Sequence, residues 1–133
     1  MMHFLNSFGA FALHLAVGLA LLGGFMLAYM RTTPHGEFEL IRKGNAAAAL
    51  GLAGAMLGFA IVQSRIIAYS EGIGETILWG LIGLVVQAAG HWLLSRFMPR
   101  LYVAIEEGDM AAGLTKAAVA ISLGLLNAAS MTP

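Results

Sequence analysis

The sequence predicts an all-α membrane protein with four transmembrane helices, built as two tandem helical hairpins of the same orientation. Three observations predict it. Four apolar stretches, 8–30, 46–67, 76–94 and 111–129, each approach the ~20 residues needed to cross a bilayer's hydrocarbon core. Hydrophobic residues make up 59% of the 133-residue chain and charged residues 11%, less than half the roughly 25% charged of a soluble domain. The connectors are too short to fold around a core of their own, so residues 1–133 read as one transmembrane domain.

The first stretch, 8–30, follows a segment with no Lys or Arg before Arg31 and is longer than the apolar core of a signal peptide, so it is expected to be a retained span. Ala16, Ala20, Gly24 and Ala28 recur at every fourth position along it. Small residues on one helix face let backbones approach closely in lipid, so this stripe is read as a packing seam. His14 is its one polar group of note.

The second span starts after Gly44 and Asn45. Asn accepts backbone N–H bonds as a helix N-cap, and Gly allows the tight turn into it. Ala47, Gly51, Gly54 and Gly58 form a second small-residue stripe, and Gln63 and Arg65 lie near the far end. The third span carries Gln87, His91 and Ser95 at i, i+4 and i+8, on one face. Trp79 and Trp92 mark its two interfaces, and Tyr29 and Tyr102 fit the same anchoring role.

The fourth span starts after Gly108 and Asp109 and carries Lys116 and Asn127. A lysine at the centre of a span costs roughly 2.5–3.5 kcal/mol, so it faces a partner or a hydrated cavity unless its stem snorkels to the headgroups. At 1.5 Å per residue Gln87 and Lys116 lie at similar depth, so the two are expected to meet together with His91. His14, Gln63, Arg65 and Asn127 form a looser set toward the opposite side.

The connectors orient the chain. Arg31, Arg42 and Lys43 lie in the 31–43 loop and Arg96 and Arg100 in the 95–109 loop, while the 68–75 loop holds Glu71 and Glu75; only Arg65 dissents. The positive-inside rule then makes the 31–43 and 95–109 loops cytoplasmic and puts both termini outside.

Shifting the chain by 64 residues aligns Ile41-Arg-Lys-Gly44-Asn45-Ala-Ala47-Ala48 with Ile105-Glu-Glu-Gly108-Asp109-Met-Ala111-Ala112. This gives an internal repeat over approximately 8–67 and 76–130, with a pseudo-twofold axis along the membrane normal. Gly44-Asn45 and Gly108-Asp109 are read as helix starts; two such N-termini on one face also suit a weak anion site. The stretch Glu39 to Ala49 with Gly54-Ala-Met-Leu-Gly58-Phe59, and the ending Ile105 to Ala112 with Ser122 to Met131, resemble the YjfL-like bacterial inner-membrane family, domain of unknown function 350. The resemblance implies a four-span protein of the bacterial inner membrane and brings no activity with it.

Zero net charge argues against nucleic acid as a partner, and the absence of cysteine removes thiol catalysis, thiolate metal sites and disulfides. No enzyme motif is present, no second ligand stands at metal spacing from His14 or His91, and no cofactor is implied. The expected partners are the lipid bilayer, further copies of the chain in a homo-oligomer, and a cytoplasmic protein. Two functions compete, with a membrane enzyme a third and least favoured reading. One is a pathway for an ion or small polar solute lined by Lys116, Gln87, His91, His14, Gln63 and Asn127; the other is a membrane anchor or scaffold that recruits a cytoplasmic partner through the 31–43 and 95–109 loops.

Overall fold

The computed structural model describes residues 1–34 and 36–131. The described elements are all helices: α1 (Met2–Thr32), α2 (Glu37–Arg42), α3 (Ala46–Tyr69), α4 (Ile73–Phe97), α5 (Pro99–Glu106) and α6 (Met110–Ser130). Of these, α1, α3, α4 and α6 are long and apolar enough to cross a membrane. Each overruns its predicted span at one or both ends, because the backbone ladder continues, whatever the hydropathy, until a cap or turn stops it. His35 of the 31–43 loop lies outside the described residues.

The two loops expected on the charged face contain helices, α2 and α5. Acidic Glu37 and Glu39 stand in the first turn of α2 and Arg42 in its last, which suits the helix dipole. In α5, Pro99 takes the first position, where a missing N–H costs nothing. Both helices end in one geometry. Gly44 (φ 85°) and Gly108 (φ 86°) adopt the left-handed conformation that favours glycine. The Asn45 N–H then donates to the Leu40 carbonyl and that of Asp109 to the Ala104 carbonyl, each at 2.9 Å.

Those residues then start the next helix. Asn45 Oδ1 accepts from the Ala48 N–H at 3.0 Å, and Asp109 Oδ1 accepts from the Ala111 N–H at 2.9 Å. Each helix N-terminus is thus occupied by its own cap. Asn45 does more, since its Nδ2 donates to the Ile105 carbonyl at 2.8 Å and the Glu106 carbonyl at 3.2 Å, tying the start of α3 to the end of α5. An aspartate has no donor for that tie.

At the centre α3 and α6 touch backbone to backbone. A methyl group at Gly54, Gly58 or Gly124 would collide with the backbone of Ala117, Ala120 and Gly58 respectively, and one at Gly113 would stand 2.6 Å from the Ala47 carbonyl oxygen. Such dispersion contact is what holds helices together where surrounding lipid is as apolar as the side chains.

Helix α1 packs differently from the expected small-residue seam. Ala16 and Ala20 are exposed and Gly24 is only partly covered. The buried face is Leu21, Phe25 and Tyr29. The small partner lies on the other helix: Leu21 fills the space beside Gly80 of α4, and Phe25 stacks on Phe59 of α3 with ring centroids 4.6 Å apart. One side of a seam needs to be small, and here α4 supplies it. Trp79 and Trp92 are exposed at 42% and 51%, in keeping with interfacial rings. Tyr29 and Tyr102 are not such anchors, because they are 0% and 1% exposed.

Candidate functional site

Eight described polar or charged side chains are buried in this apolar bundle: Thr33, Glu37, Gln63, Thr76, Gln87, His91, Lys116 and Asn127. Burying an unpaired charge costs several kcal/mol, so the partners of the charged members define the site.

Lys116 stands on the second turn of α6, about 9 Å along the helix from Met110. Its ammonium lies 3.7 Å from Glu37 Oε1, with both side chains 1% exposed, and donates a hydrogen bond to the Tyr29 hydroxyl. An aromatic ring completes its surroundings, with Nζ 4.8 Å from the ring centroid of Tyr102. A desolvated cation over an aromatic face gains about 2 kcal/mol. The remaining carboxylate oxygen of Glu37 accepts from Thr33 Oγ1 at 3.1 Å. Burial and the Glu37 charge together hold the Tyr102 phenol protonated well above the usual tyrosine range.

Five elements build this cluster: α1, α2, α3, α5 and α6. Glu37, the first residue of α2, is buried in the bundle, and α5 brings Tyr102 to the same cluster. Gly51 of α3 leaves room for the lysine stem, whose Cδ would be 3.1 Å from a methyl placed there. Lys116 therefore neither snorkels nor faces lipid. It is held by protein.

His91 lies beside the cluster, edge-on to Tyr29 with centroids 4.9 Å apart and an interplanar angle of 85°. Phe25 covers it from α1 at 5.9 Å. The ring is 2% exposed, and neither nitrogen has a protein hydrogen-bond partner. One turn further along α4, Gln87 Oε1 lies 3.5 Å from Asn127 Nδ2, which also donates to the Gly83 carbonyl at 3.3 Å. Gln87 Nε2 is unpartnered. The expected meeting of Gln87 with Lys116 is replaced by this contact: α6 turns Lys116 toward α1 and α2, whereas Asn127, placed in the opposite layer by sequence, reaches Gln87 from eleven residues further along the same helix. Gln63 of α3 is 5% exposed and both of its amide atoms are unpartnered; its Nε2 would stand 3.3 Å from a methyl at Gly80.

The buried polar groups therefore form a column: Glu37, Lys116, Tyr29 and Tyr102 at one end, then His91, then Gln87 with Asn127, then Gln63. Beyond Gln63, a half-open cavity of about 430 Å³ lies between the ends of α3 and α6 and the start of α4. Arg65, Ser70, Glu71 and Glu75 supply its polar lining. His14 stands apart from the column. Its Nδ1 is 2.8 Å from the Ala10 carbonyl of its own helix, and it is partly exposed.

Sequence reasoning missed Glu37, because an acid in a charged connector reads as solvated. The available signal was the lysine itself, which demands a counter-charge. Among the described residues no group of three or more His, Cys, Asp or Glu side chains gathers where a metal ion would be held.

A family model described as Domain of Unknown Function (DUF350) matches residues 2–131. The chain is 35% identical over 131 residues to the UPF0719 inner membrane protein YjfL of Escherichia coli (strain K12), a match covering 98% of this chain and 99% of the relative. It is 26% identical over 128 residues to the UPF0719 transmembrane protein YshE of Bacillus subtilis (strain 168), covering 95% of this chain and 96% of the relative. No solved structure matches the chain.

Proposed function

The chain belongs to the DUF350 family, and we propose that this member provides a pathway through the membrane for an ion or small polar solute. The observation that carries this reading is the column of buried polar side chains. An apolar bundle in lipid gains nothing from His91, Gln87 and Gln63 that leucine would not supply at lower cost, so their presence calls for a task. We place the α2 and α5 face in the cytoplasm and both termini outside, on the sorting of five of six loop or loop-edge cations. Several copies of the chain associate in this reading, since α1 leaves most of its surface uncovered.

The test is flux into vesicles containing the purified protein, measured separately for protons, sodium, potassium, chloride and a small amine. At least one species is expected to enter faster than into protein-free vesicles, and Gln87→Leu is expected to abolish the difference. Rates equal to those of empty vesicles for every species overturn the pathway.

One observation favours the scaffold reading. Phe38 of α2 and Val103 of α5 are 54% and 53% exposed on the face that also carries the Glu39–Lys43 ion pair. A cytoplasmic protein docked there makes a crosslink to a photoreactive group at Phe38, and lipid-only crosslinks exclude it.

A further inference from the structure

We propose that the species carried along the column is the proton, passed between side chains and single water molecules and not through an open lumen. This rests on the pathway reading above and names its substrate.

The width of the column excludes anything larger. Lys116 and Gln87 are 0% exposed and His91 is 2% exposed, so the centre of the path is closed to a hydrated ion. Its walls are closely packed. The α3 and α6 backbones meet too closely for a methyl at Gly58 or Gly124, and Phe25 stacked on Phe59 fills the side toward α1. A sodium or potassium ion would have to shed its water and push these packed side chains apart. A proton does not, because the charge that moves is handed from atom to atom.

The chemistry of the unpartnered atoms points the same way. Both nitrogens of His91, both amide atoms of Gln63 and Nε2 of Gln87 have no protein partner. Buried polar atoms are nearly always hydrogen-bonded to protein or to water. Water that enters between neighbouring turns as side chains move would bond to these atoms, and successive turns of α4 place His91 and Gln87 about 6 Å apart, a gap that one water spans. In each step the excess proton on a protonated water adds to the free nitrogen of His91, leaving that water neutral, while the proton on the other ring nitrogen leaves to the next water, which then carries the charge. The ring is neutral before and after, and turning it resets the step. The amides of Gln87, Asn127 and Gln63 hold the waters in line, with oxygens accepting and NH₂ groups donating.

The ends are suited to collect and release protons. On one side stands Glu37, whose charge offsets Lys116 so that an arriving proton does not face an uncompensated cation. On the other, the cavity past Gln63 holds Glu71 and Glu75 with Arg65 and Ser70. The charged and titratable groups facing His91 are Tyr29 of α1 and, beyond it, Lys116 of α6 with Glu37 of α2 and Tyr102 of α5.

The experiment uses the full chain in sealed vesicles with a pH-sensitive dye inside and a membrane potential set by a potassium gradient and ionophore. Proton entry is expected to exceed that of empty vesicles at least tenfold, with sodium and chloride entry unchanged. His91→Leu and Gln87→Leu are each expected to lower proton entry at least tenfold. His91→Leu replaces a buried ring whose nitrogens lack a partner, and Gln87→Leu a buried amide whose Nε2 lacks one and whose Oε1 makes a long 3.5 Å contact with Asn127, so the melting temperature in detergent is expected to change little. Entry of another ion without protons overturns this inference and leaves the pathway standing. No entry of any species overturns both. Proton entry that persists in both variants, at unchanged melting temperature, places the route elsewhere and overturns the assignment to this column.

Discussion

Helix α6 buries two faces by opposite means. Toward α3 it offers Gly113, Ala117, Ala120 and Gly124, and the contact is backbone on backbone with no room for another atom. Around the helix, Lys116 and Asn127 reach out to Glu37, Tyr29, Gln87 and Gly83 through polar contacts. The first face gains stability from dispersion and tolerates no added volume. The second gains little net stability, because each polar contact offsets a desolvation cost of similar size. A membrane protein that needed only to persist would extend the first face around the helix. That this one does not is the physical reason to look for activity along the second.

The largest effect that separates the faces is expected at Lys116. Lys116→Met leaves Glu37 buried without its cation and is expected to destabilise the fold by about 3–5 kcal/mol. The double variant Lys116→Met with Glu37→Leu is expected to recover most of that loss. Denaturant titration in detergent measures both, and an equally unstable double variant would mean that the site is held by shape and not by charge.

Next in size, Gly58→Ala is expected to cost about 1–3 kcal/mol, because the added methyl meets the Ala120 backbone, which cannot swing aside. Asn45→Ala follows at about 1 kcal/mol for the lost cap. Asn45→Asp keeps the cap and loses the bonds to the Ile105 and Glu106 carbonyls, so hydrogen exchange at the end of α5 is expected to quicken while α3 is unaffected.

The smallest effect sharpens the comparison most. Gly51→Ala lies two turns from Gly58 on the same helix, yet its methyl meets side-chain atoms of Lys116 and no backbone, with Cδ nearest at 3.1 Å. A flexible stem yields, and alanine favours helix over glycine by roughly 0.5–1 kcal/mol, so the net change is expected to be near zero. A melting temperature that falls as far for Gly51→Ala as for Gly58→Ala would show that the two faces are equally rigid.

What the sequence made legible follows from what each signal averages over. The four spans were plain because twenty apolar residues in a row have one reading in a bilayer, and Gly44-Asn45 and Gly108-Asp109 were plain because positive φ and capping each need particular residue types. Helices α2 and α5 were not, since six and eight residues are too few to carry a hydropathy signal and are stabilised by their neighbours. Lys116 announced itself as a cation in an apolar run. Its partner did not, because Glu37 stands beside Glu39 and Arg42 and only the turn of the chain distinguishes the buried acid from the exposed one. The stripe Ala16, Ala20 and Gly24 misled for a related reason: spacing identifies a face but not whether another helix covers it.

The length of α1 has its own consequence. Its 31 residues extend ~46 Å, whereas the 21 of α6 extend ~32 Å, close to the ~30 Å hydrocarbon thickness of a typical bilayer. A bilayer matched to α6 is too thin for α1 held upright. The excess begins with an apolar tip bearing Phe4, Phe8 and Phe11, all exposed, which water would penalise. Tilt, or local thickening of the lipid around one corner of the bundle, relieves the mismatch at a fraction of a kcal/mol per ångström. Because α1 also carries Tyr29 at its other end, any tilt pivots the ring that receives the Lys116 ammonium, so membrane thickness becomes a mechanical input to the buried cluster.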